Sequence, residues 1–81
     1  MSEPIDLRLL VEYIAKSLVE SPEQVIVTEA EKDGILVLEL RVAPDDMGKV
    51  IGRQGRIAKA MRSVLRAASI RDGRKCTLEI I

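Results

Sequence analysis

Residues 50–61 read Val-Ile-Gly-Arg-Gln-Gly-Arg-Ile-Ala-Lys-Ala-Met and place two glycines, three positions apart, between two segments of helical pattern. A glycine inside a helix costs about 1 kcal/mol relative to alanine, so Gly52 and Gly55 need a reason. They predict a tight turn, the GxxG loop of residues 52–55, that a foreign backbone can approach closely. The free N–H groups at the start of the second helix favour a phosphate at this point.

Several known motifs contain a similar glycine pattern. Donors and cations surround the loop: Lys49, Arg53, Gln54 and Arg56. A Gly-x-x-Gly pattern alone is also compatible with a plain corner between two helices, with glycine at a C-cap. A P-loop would continue from its second glycine into Lys-Ser/Thr, whereas Arg56 and Ile57 follow Gly55. A dinucleotide-binding fingerprint requires a preceding strand, whereas a helical segment precedes Gly52.

A long helix is predicted on the C-terminal side of the loop, from residue 56 to about residue 69. Its apolar residues recur at helical spacing and predict one core stripe: Ile57, Ala60, Met61, Val64, Leu65 and Ala68. A turn at residues 71–74 and a strand at residues 75–81 follow, the strand being the last predicted element.

The N-terminal part of the chain predicts a first helix over residues 5–19, with Ser2 and Pro4 as start signals. Its core stripe is formed by apolar residues at helical spacing: Leu7, Leu10, Val11, Ile14 and Leu18. Leu9 and Tyr13 lie on a second face of this helix, away from the stripe.

Between this helix and the GxxG loop the pattern predicts strands at residues 24–31 and 35–42 and a short helix at residues 47–51. An Asp33-Gly34 pair between the strands predicts a hairpin turn. Asp45 or Asp46 is predicted to cap the short helix. The resulting order is α-β-β-α-α-β, an α+β fold whose helices pack on one face of a three-stranded sheet, with residues 1–81 forming a single domain.

The composition limits the function. The chain has 81 residues, of which 47% are hydrophobic and 32% are charged, as expected for a small folded domain. Tyr13 is its only aromatic residue, which argues against RNA readers that stack bases on aromatic side chains. The chain has no His and one Cys, so catalytic triads, zinc sites and disulfide scaffolds are not expected. We therefore expect no enzyme activity and no cofactor, and we interpret Cys76 as a small buried hydrophobe.

No targeting or membrane segment is expected. No apolar run approaches the roughly 20 residues of a membrane span. The start, Met-Ser-Glu-Pro, has neither the basic nor the apolar region of a secretory signal. These features favour a cytoplasmic location without membrane association.

The net charge is zero, but the charges are divided along the chain. Residues 1–48 carry 4 basic and 11 acidic residues, a net charge of −7. Residues 49–75 carry 9 basic residues against Asp72 alone, a net charge of +8. Such a basic segment predicts binding to a polyanion without a high overall pI, although charged helix faces are often only solvated.

Residues 50–61 resemble the core of a KH domain, with its Val-Ile-Gly-x-x-Gly signature and trailing aliphatic residues. The predicted order of elements is similar to the type II, prokaryotic KH arrangement. The resemblance covers the whole chain and is strongest to the small bacterial KhpA family, whose members have about this length. It implies a non-enzymatic protein that binds single-stranded RNA, as an RNA chaperone or a post-transcriptional regulator.

The resemblance also implies a binding site. A KH domain clamps the backbone of about four nucleotides with its GxxG loop. Arg53 and Gln54 would contact phosphate, and an aliphatic groove would receive the bases. Val50, Ile51 and Ile57 would form one wall of this groove or the core beneath it, and residues 76–80 would form the opposite side. Arg62 and Arg66 lie further round the long helix and are interpreted as solvated charges. The implied RNA-binding residues are Lys49, Val50, Ile51, Gly52, Arg53, Gln54, Gly55, Arg56, Ile57, Lys59, Arg74 and Lys75.

Partners follow from the same resemblance. One KH domain reads few bases, and affinity rises when two domains act together. The resemblance therefore implies a homodimer, or pairing with a second KH-containing protein similar to KhpB. Candidate contact surfaces carry apolar side chains off the core stripe, although small proteins expose some in any case: Leu9, Tyr13, Ile35, Val37 and Ile81.

Two functions of different classes remain open on the sequence. The first is RNA binding, which the charge division and the donors in the GxxG loop favour. The alternative is a protein-interaction or assembly subunit, for example in ribosome maturation, that uses the fold mainly as a scaffold.

Overall fold

The computed structural model of the protein describes residues 6–81, apart from the side chain of Asp72. Its helices are α1 (Leu7–Leu18), α2 (Met47–Ile51) and α3 (Arg56–Asp72), and its strands are β1 (Ile26–Lys32), β2 (Ile35–Arg41) and β3 (Lys75–Ile80). The order α-β-β-α-α-β predicted from the sequence is confirmed.

The three strands form one sheet in the order β1-β2-β3. Strands β1 and β2 are antiparallel, and β2 and β3 are parallel. Asp33 and Gly34 join the first pair, with φ angles of 54° and 78°. Both angles are positive, as a two-residue type I′ turn requires, so the predicted hairpin is confirmed.

The core lies between the sheet and the helices. Leu36, Leu38 and Leu40 of β2 are buried, whereas Ile35 and Val37 on the opposite face stay partly open. The helices pack on that one buried face, as predicted, because only there do alternate strand residues present a continuous apolar surface. The buried residues of α1 and α3 that meet it are Leu7, Val11, Ala15, Ala58, Met61, Leu65 and Ala68.

Helix α1 begins at Leu7, two residues later than predicted. The carboxylate of Asp6 accepts hydrogen bonds from the backbone N–H groups of Arg8 and Leu9, at 3.1 and 3.2 Å, and this N-cap sets the start. The predicted start signals at Ser2 and Pro4 lie outside the described residues.

Other boundaries shift because of local hydrogen bonding. Pro22–Gln24 form a 3₁₀ turn, so β1 starts two residues later than predicted. Helix α3 runs three residues past its predicted end, because Gly73 closes it in the left-handed region, at a φ of 71°. The Gly73 N–H then reaches the Ile70 carbonyl at 3.1 Å, and the Arg74 N–H reaches the Ser69 carbonyl at 2.9 Å.

The core stripe of α3 is rotated from the predicted one. Ala60 and Val64, which the sequence analysis places in the core, are exposed, and Ala58 is buried instead. Ala60 and Val64 lie roughly 100° and 60° round the helix from Met61, at the margin of the arc that the sheet and α1 cover. Leu18 of α1 is likewise 37% exposed rather than buried.

Asp46 is buried, with 2% of its surface exposed. Of the two predicted caps it occupies the N-cap position of α2, but its side chain makes no capping hydrogen bond there. Its carboxylate accepts hydrogen bonds from the backbone N–H groups of Glu20 and Ser21, at 3.2 and 3.1 Å. The Lys49 Nζ donates to the same carboxylate at 3.3 Å. Asp46 therefore fastens the segment after α1 to the beginning of α2.

These bonds also set the charge state of the carboxyl. Burial alone would raise the pKa of Asp46, but the two backbone donors and the Lys49 ammonium outweigh it, so the pKa lies below its ordinary value of 3.8. Its contribution to stability is therefore fully present above that value and is lost as the pH falls through the lower, folded pKa.

Replacement of Asp46 by asparagine tests this bond. Asp46→Asn removes the negative charge that the three donors share, so we expect a lower midpoint of urea unfolding at pH 7. The difference from wild type should shrink as the pH falls below 3.8, because protonation then removes the same charge from the native carboxyl. Asp45→Asn, at an exposed neighbouring position, is the control and should leave the midpoint unchanged. Equal midpoints for Asp46→Asn and wild type at pH 7 would contradict this account.

Candidate nucleic-acid interface

The GxxG loop is a tight turn with an unusual backbone. Gly52, Gln54 and Gly55 all have positive φ angles, of 78°, 58° and 73°. Two backbone bonds hold the turn: the Gly52 N–H donates to the Gly48 carbonyl at 2.8 Å, and the Gly55 N–H donates to the Gly52 carbonyl at 3.1 Å. The loop is thus fixed by its own main chain, and its side chains are left available.

The two glycines of the loop serve different purposes. A Cβ at Gly52 would lie 2.6 Å from Cγ1 and 2.9 Å from the backbone N of Ile57, so the close approach at this glycine is made by the first turn of α3. A Cβ at Gly55 would meet nothing within 4 Å. Gly52 therefore closes the corner between α2 and α3, and Gly55 leaves the outer surface of the loop open to a ligand.

Arg53 and Gln54, the residues between the glycines, are exposed, as is Arg56 at the start of α3. The loop therefore presents two guanidinium groups and an amide to solvent beside the N-terminus of a helix of 17 residues. This arrangement suits an anionic oxygen, because the side-chain donors and the helix dipole act in the same direction.

Lys49 is already engaged in the structure. Its Nζ lies 3.2 Å from the Glu20 carboxylate and 3.3 Å from Asp46. The hydrogen bond to Glu20, followed by the effects of Asp46, raises the pKa of Lys49 despite partial burial. The ammonium thus neutralises acidic groups at the end of α1 as well as flanking the GxxG loop.

The aliphatic residues around the loop divide between core and surface. Val50 is completely buried and belongs to the core. Ile51 and Ile57 are partly buried and pack against that core. The sequence leaves two roles open for these residues, the core or the wall of the groove. The burial of Val50 assigns it to the core.

A groove runs between α3 and β3, with apolar residues on its floor and cations along it. The floor includes Leu65 and Leu78, which are buried, and Ile70, which is 71% exposed, also lines the groove. Five described lining residues are basic, and none of the described ones is acidic: Lys59, Arg62, Arg66, Arg74 and Lys75. A surface of this kind is complementary to a polyanion that carries apolar groups.

Arg62 and Arg66 therefore line the groove, although the sequence analysis interprets them as solvated charges. The signal that identifies them is the spacing of Lys59, Arg62 and Arg66, which recur at three and four residues and so share one side of a helix. The sequence does not reveal that this side lies next to the edge of β3, because that contact depends on the tertiary packing.

Two groups of predicted site residues lie at opposite ends of α3. Arg74 and Lys75 lie beyond the C-terminal end of α3, whereas the GxxG loop lies at its N-terminal end. A helix of 17 residues is about 25 Å long, so the two groups cannot contact the same phosphate. Arg74 and Lys75 line the groove, whereas no residue of the GxxG loop does.

Cys76 is partly buried in the groove. Burial raises the pKa of its thiol, with a smaller opposing effect of Arg74. A neutral, apolar side chain at this position agrees with its interpretation as a small hydrophobe.

A comparison with protein-family models finds one that is described as KhpA/KhpB, KH domain, and it matches residues 8–80. The chain belongs to this KH-domain family. Among the relatives of this KH domain is the RNA-binding protein KhpA of Clostridium perfringens, which is 56% identical over 75 residues. The alignment covers 93% of this chain and 100% of that protein.

Solved structures agree with the assignment. Era of Aquifex aeolicus, bound to GDP and AlF4−, matches 99% of this KH domain with a TM-score of 0.60 and 27% identity. Era in complex with MgGDPNP and nucleotides 1506–1542 of 16S ribosomal RNA matches 94% with a TM-score of 0.53 and 28% identity. The KH domain corresponds to 32% and 30% of those chains. The prediction of a KH-type α+β fold is thereby confirmed.

The unequal roles of the glycines lead to a stability test on this KH domain. Gly52→Ala adds a methyl group that meets Ile57 and also strains a left-handed backbone, so we expect a loss of at least about 2 kcal/mol. Gly55→Ala has the backbone strain alone and should cost about 1 kcal/mol. Gly48→Ala, within α2 and facing open space, is the control and should be neutral or stabilising by up to about 1 kcal/mol.

Urea unfolding followed by circular dichroism gives the three free energies of unfolding. If Gly52→Ala and Gly55→Ala cost the same, the contact with Ile57 does not define the corner.

Proposed function

We propose that this chain is a non-enzymatic, cytoplasmic protein that binds single-stranded RNA and acts as an RNA chaperone or post-transcriptional regulator. The observation that carries the proposal is the groove, which combines five cations with an apolar floor, together with an exposed GxxG loop at the N-terminal end of the same helix α3. Membership of the KH family and the name of its KhpA relative, an RNA-binding protein, support it. No helix among the described residues is long and apolar enough to cross a membrane.

The GxxG loop and the groove differ in chemistry, and we infer that they bind different parts of the RNA. The GxxG loop offers charged and neutral donors to the phosphate backbone, and the apolar floor of the groove receives bases without aromatic stacking. Contacts to phosphate position a strand, whereas contacts to base edges select its sequence. A scaffold function without RNA, the alternative left open by the sequence, gives no reason for a groove lined by cations.

A double substitution in the loop tests the clamp. Arg53→Asp with Gln54→Asp places two negative charges where the wild type offers donors, so we expect binding of short single-stranded RNAs to be abolished. Both side chains are exposed, so the free energy of unfolding should change by no more than about 0.5 kcal/mol for each. Asp33→Asn with Lys32→Gln, in the exposed β1–β2 hairpin turn, is the control and should bind as the wild type does. Equal RNA affinity of the folded loop variant and wild type would refute the clamp.

The salt dependence tests the electrostatic part of the same proposal. Three or four neutralised phosphates predict a slope of about −2 to −3 for the logarithm of the affinity against that of the salt concentration, at roughly −0.7 per phosphate. A titration of wild type at several salt concentrations measures it. A slope near zero would mean that phosphate contacts do not drive binding.

We also propose that the protein pairs with itself, or with a second KH-containing protein similar to KhpB, and so gains affinity from two domains. On the outer face of α1, Leu9 is 50% exposed and Tyr13 is 74% exposed. These side chains are large and apolar, and nothing among the described residues covers them.

Tyr13→Glu tests this surface. If α1 packs across a two-fold axis, the buried charge should convert a dimer to a monomer while the helix content is unchanged. Sedimentation equilibrium at high micromolar concentration, with circular dichroism as the folding control, measures both. A wild-type monomer under these conditions would remove the homodimer, and a dimer that persists in Tyr13→Glu would exclude this surface; Val64→Glu then tests the exposed face of α3.

A further inference from the structure

The outer edge of β3 exposes main-chain groups to the groove. The Ile81 N–H donates to the Leu40 carbonyl of β2 at 2.9 Å, so the odd-numbered residues of this segment turn their N–H and C=O groups towards β2. Because these groups alternate along a strand, Cys76, Leu78 and Ile80 turn theirs towards the open edge. No other described strand pairs with that edge.

Arg62 reaches across the groove to the middle of this edge. Its Nε and Nη2 both donate to the carbonyl oxygen of Leu78, each at 3.4 Å. The guanidinium thus covers the central acceptor of the edge, and it keeps further N–H groups that make no hydrogen bond to β3. The next cation along the helix, Arg66, lines the same groove, but no hydrogen bond joins its guanidinium to β3 among the described residues.

This contact changes which hydrogen-bonding groups the edge of β3 offers to a base. Adenine presents an amino group beside a ring acceptor, and the amino group needs an acceptor from the protein. With the Leu78 carbonyl covered, the local groups are donors: the Leu78 N–H and the free N–H groups of Arg62. Guanine offers two adjacent acceptors, O6 and N7, which arginine binds more often than any other base edge.

We propose that Arg62 is a specificity-determining residue of the groove, which favours guanine over adenine by covering the Leu78 carbonyl and presenting donors in its place. The inference rests on the proposed RNA-binding function and adds its base preference. It differs from a phosphate contact, which would strengthen binding to all sequences alike.

Arg62→Met tests the proposal, and Arg66→Met is its matched control one helical turn away. Methionine keeps an unbranched apolar chain against the groove and removes the donors and the charge. The probes are three single-stranded octanucleotides of alternating uridine with guanosine, adenosine or cytidine, so that every second binding register places the test base at Arg62.

The wild type should prefer the guanosine probe. Arg62→Met should lower the ratio of guanosine to adenosine affinity by roughly tenfold, within the range for one base-edge contact, because guanine loses a donor pair and adenine gains the Leu78 carbonyl. Arg66→Met should weaken binding to all three probes by a similar factor and leave the ratio unchanged.

Four results would overturn the inference. An equal loss for all probes in Arg62→Met makes this residue a phosphate contact. Unchanged affinities, with a lower urea midpoint, make it only a cover for the sheet edge. A wild type that binds none of the probes at low salt refutes the RNA-binding function itself, whereas binding without a guanosine preference refutes only the role of Arg62.

Discussion

The contact between Gly52 and Ile57 leaves no space for a methyl group, and the geometry of the site depends on it. Because the backbone passes so closely at this point, α3 leaves the corner in one direction only. That direction places the cations of α3 beside the edge of β3 and brings the loop side chains to the surface. The hydrogen bonds of Asp46 act on the other side of the same corner, since they fasten α2 to the end of α1. The GxxG loop is thus held between two fixed points, and a ligand does not need to order its backbone.

The groove allows the proposed nucleic-acid surface in a chain with only one aromatic residue. Its groove does not depend on stacking, because the floor is aliphatic and the walls carry charge on one side and main-chain groups on the other. Charge is also distributed to suit this use. Lys49 forms ion pairs with Glu20 and Asp46 and thereby offsets their negative charge on the N-terminal side of the GxxG loop.

The features that the sequence predicts correctly are those that local interactions determine. The Asp33-Gly34 turn and the two loop glycines follow from a conformation that few other residues adopt. The short helix at Met47–Ile51 lies between two local breaks, Pro44 and Gly52. The sequence does not predict that Asp46 reaches backbone groups 25 and 26 residues away, or that Arg62 reaches Leu78, since both depend on how distant segments meet. The exposure of Ala60 and Val64 has the same origin. Helical periodicity predicts which side of α3 is apolar, but not how much of that side the sheet and α1 bury.

The open edge of β3 has a consequence for aggregation. An unpaired strand edge is a template for another strand, and proteins protect such edges with charged side chains, above all lysine. Here the groove supplies this protection: a second strand would have to displace the Arg62 guanidinium from Leu78 and lie among cations of α3. The same charges that attract a polyanion therefore keep neighbouring copies from joining their sheets. A variant with a more apolar groove would lose both the attraction for a polyanion and the protection of the strand edge. The need to avoid aggregation in a concentrated cell therefore limits how far the charge of this surface can change.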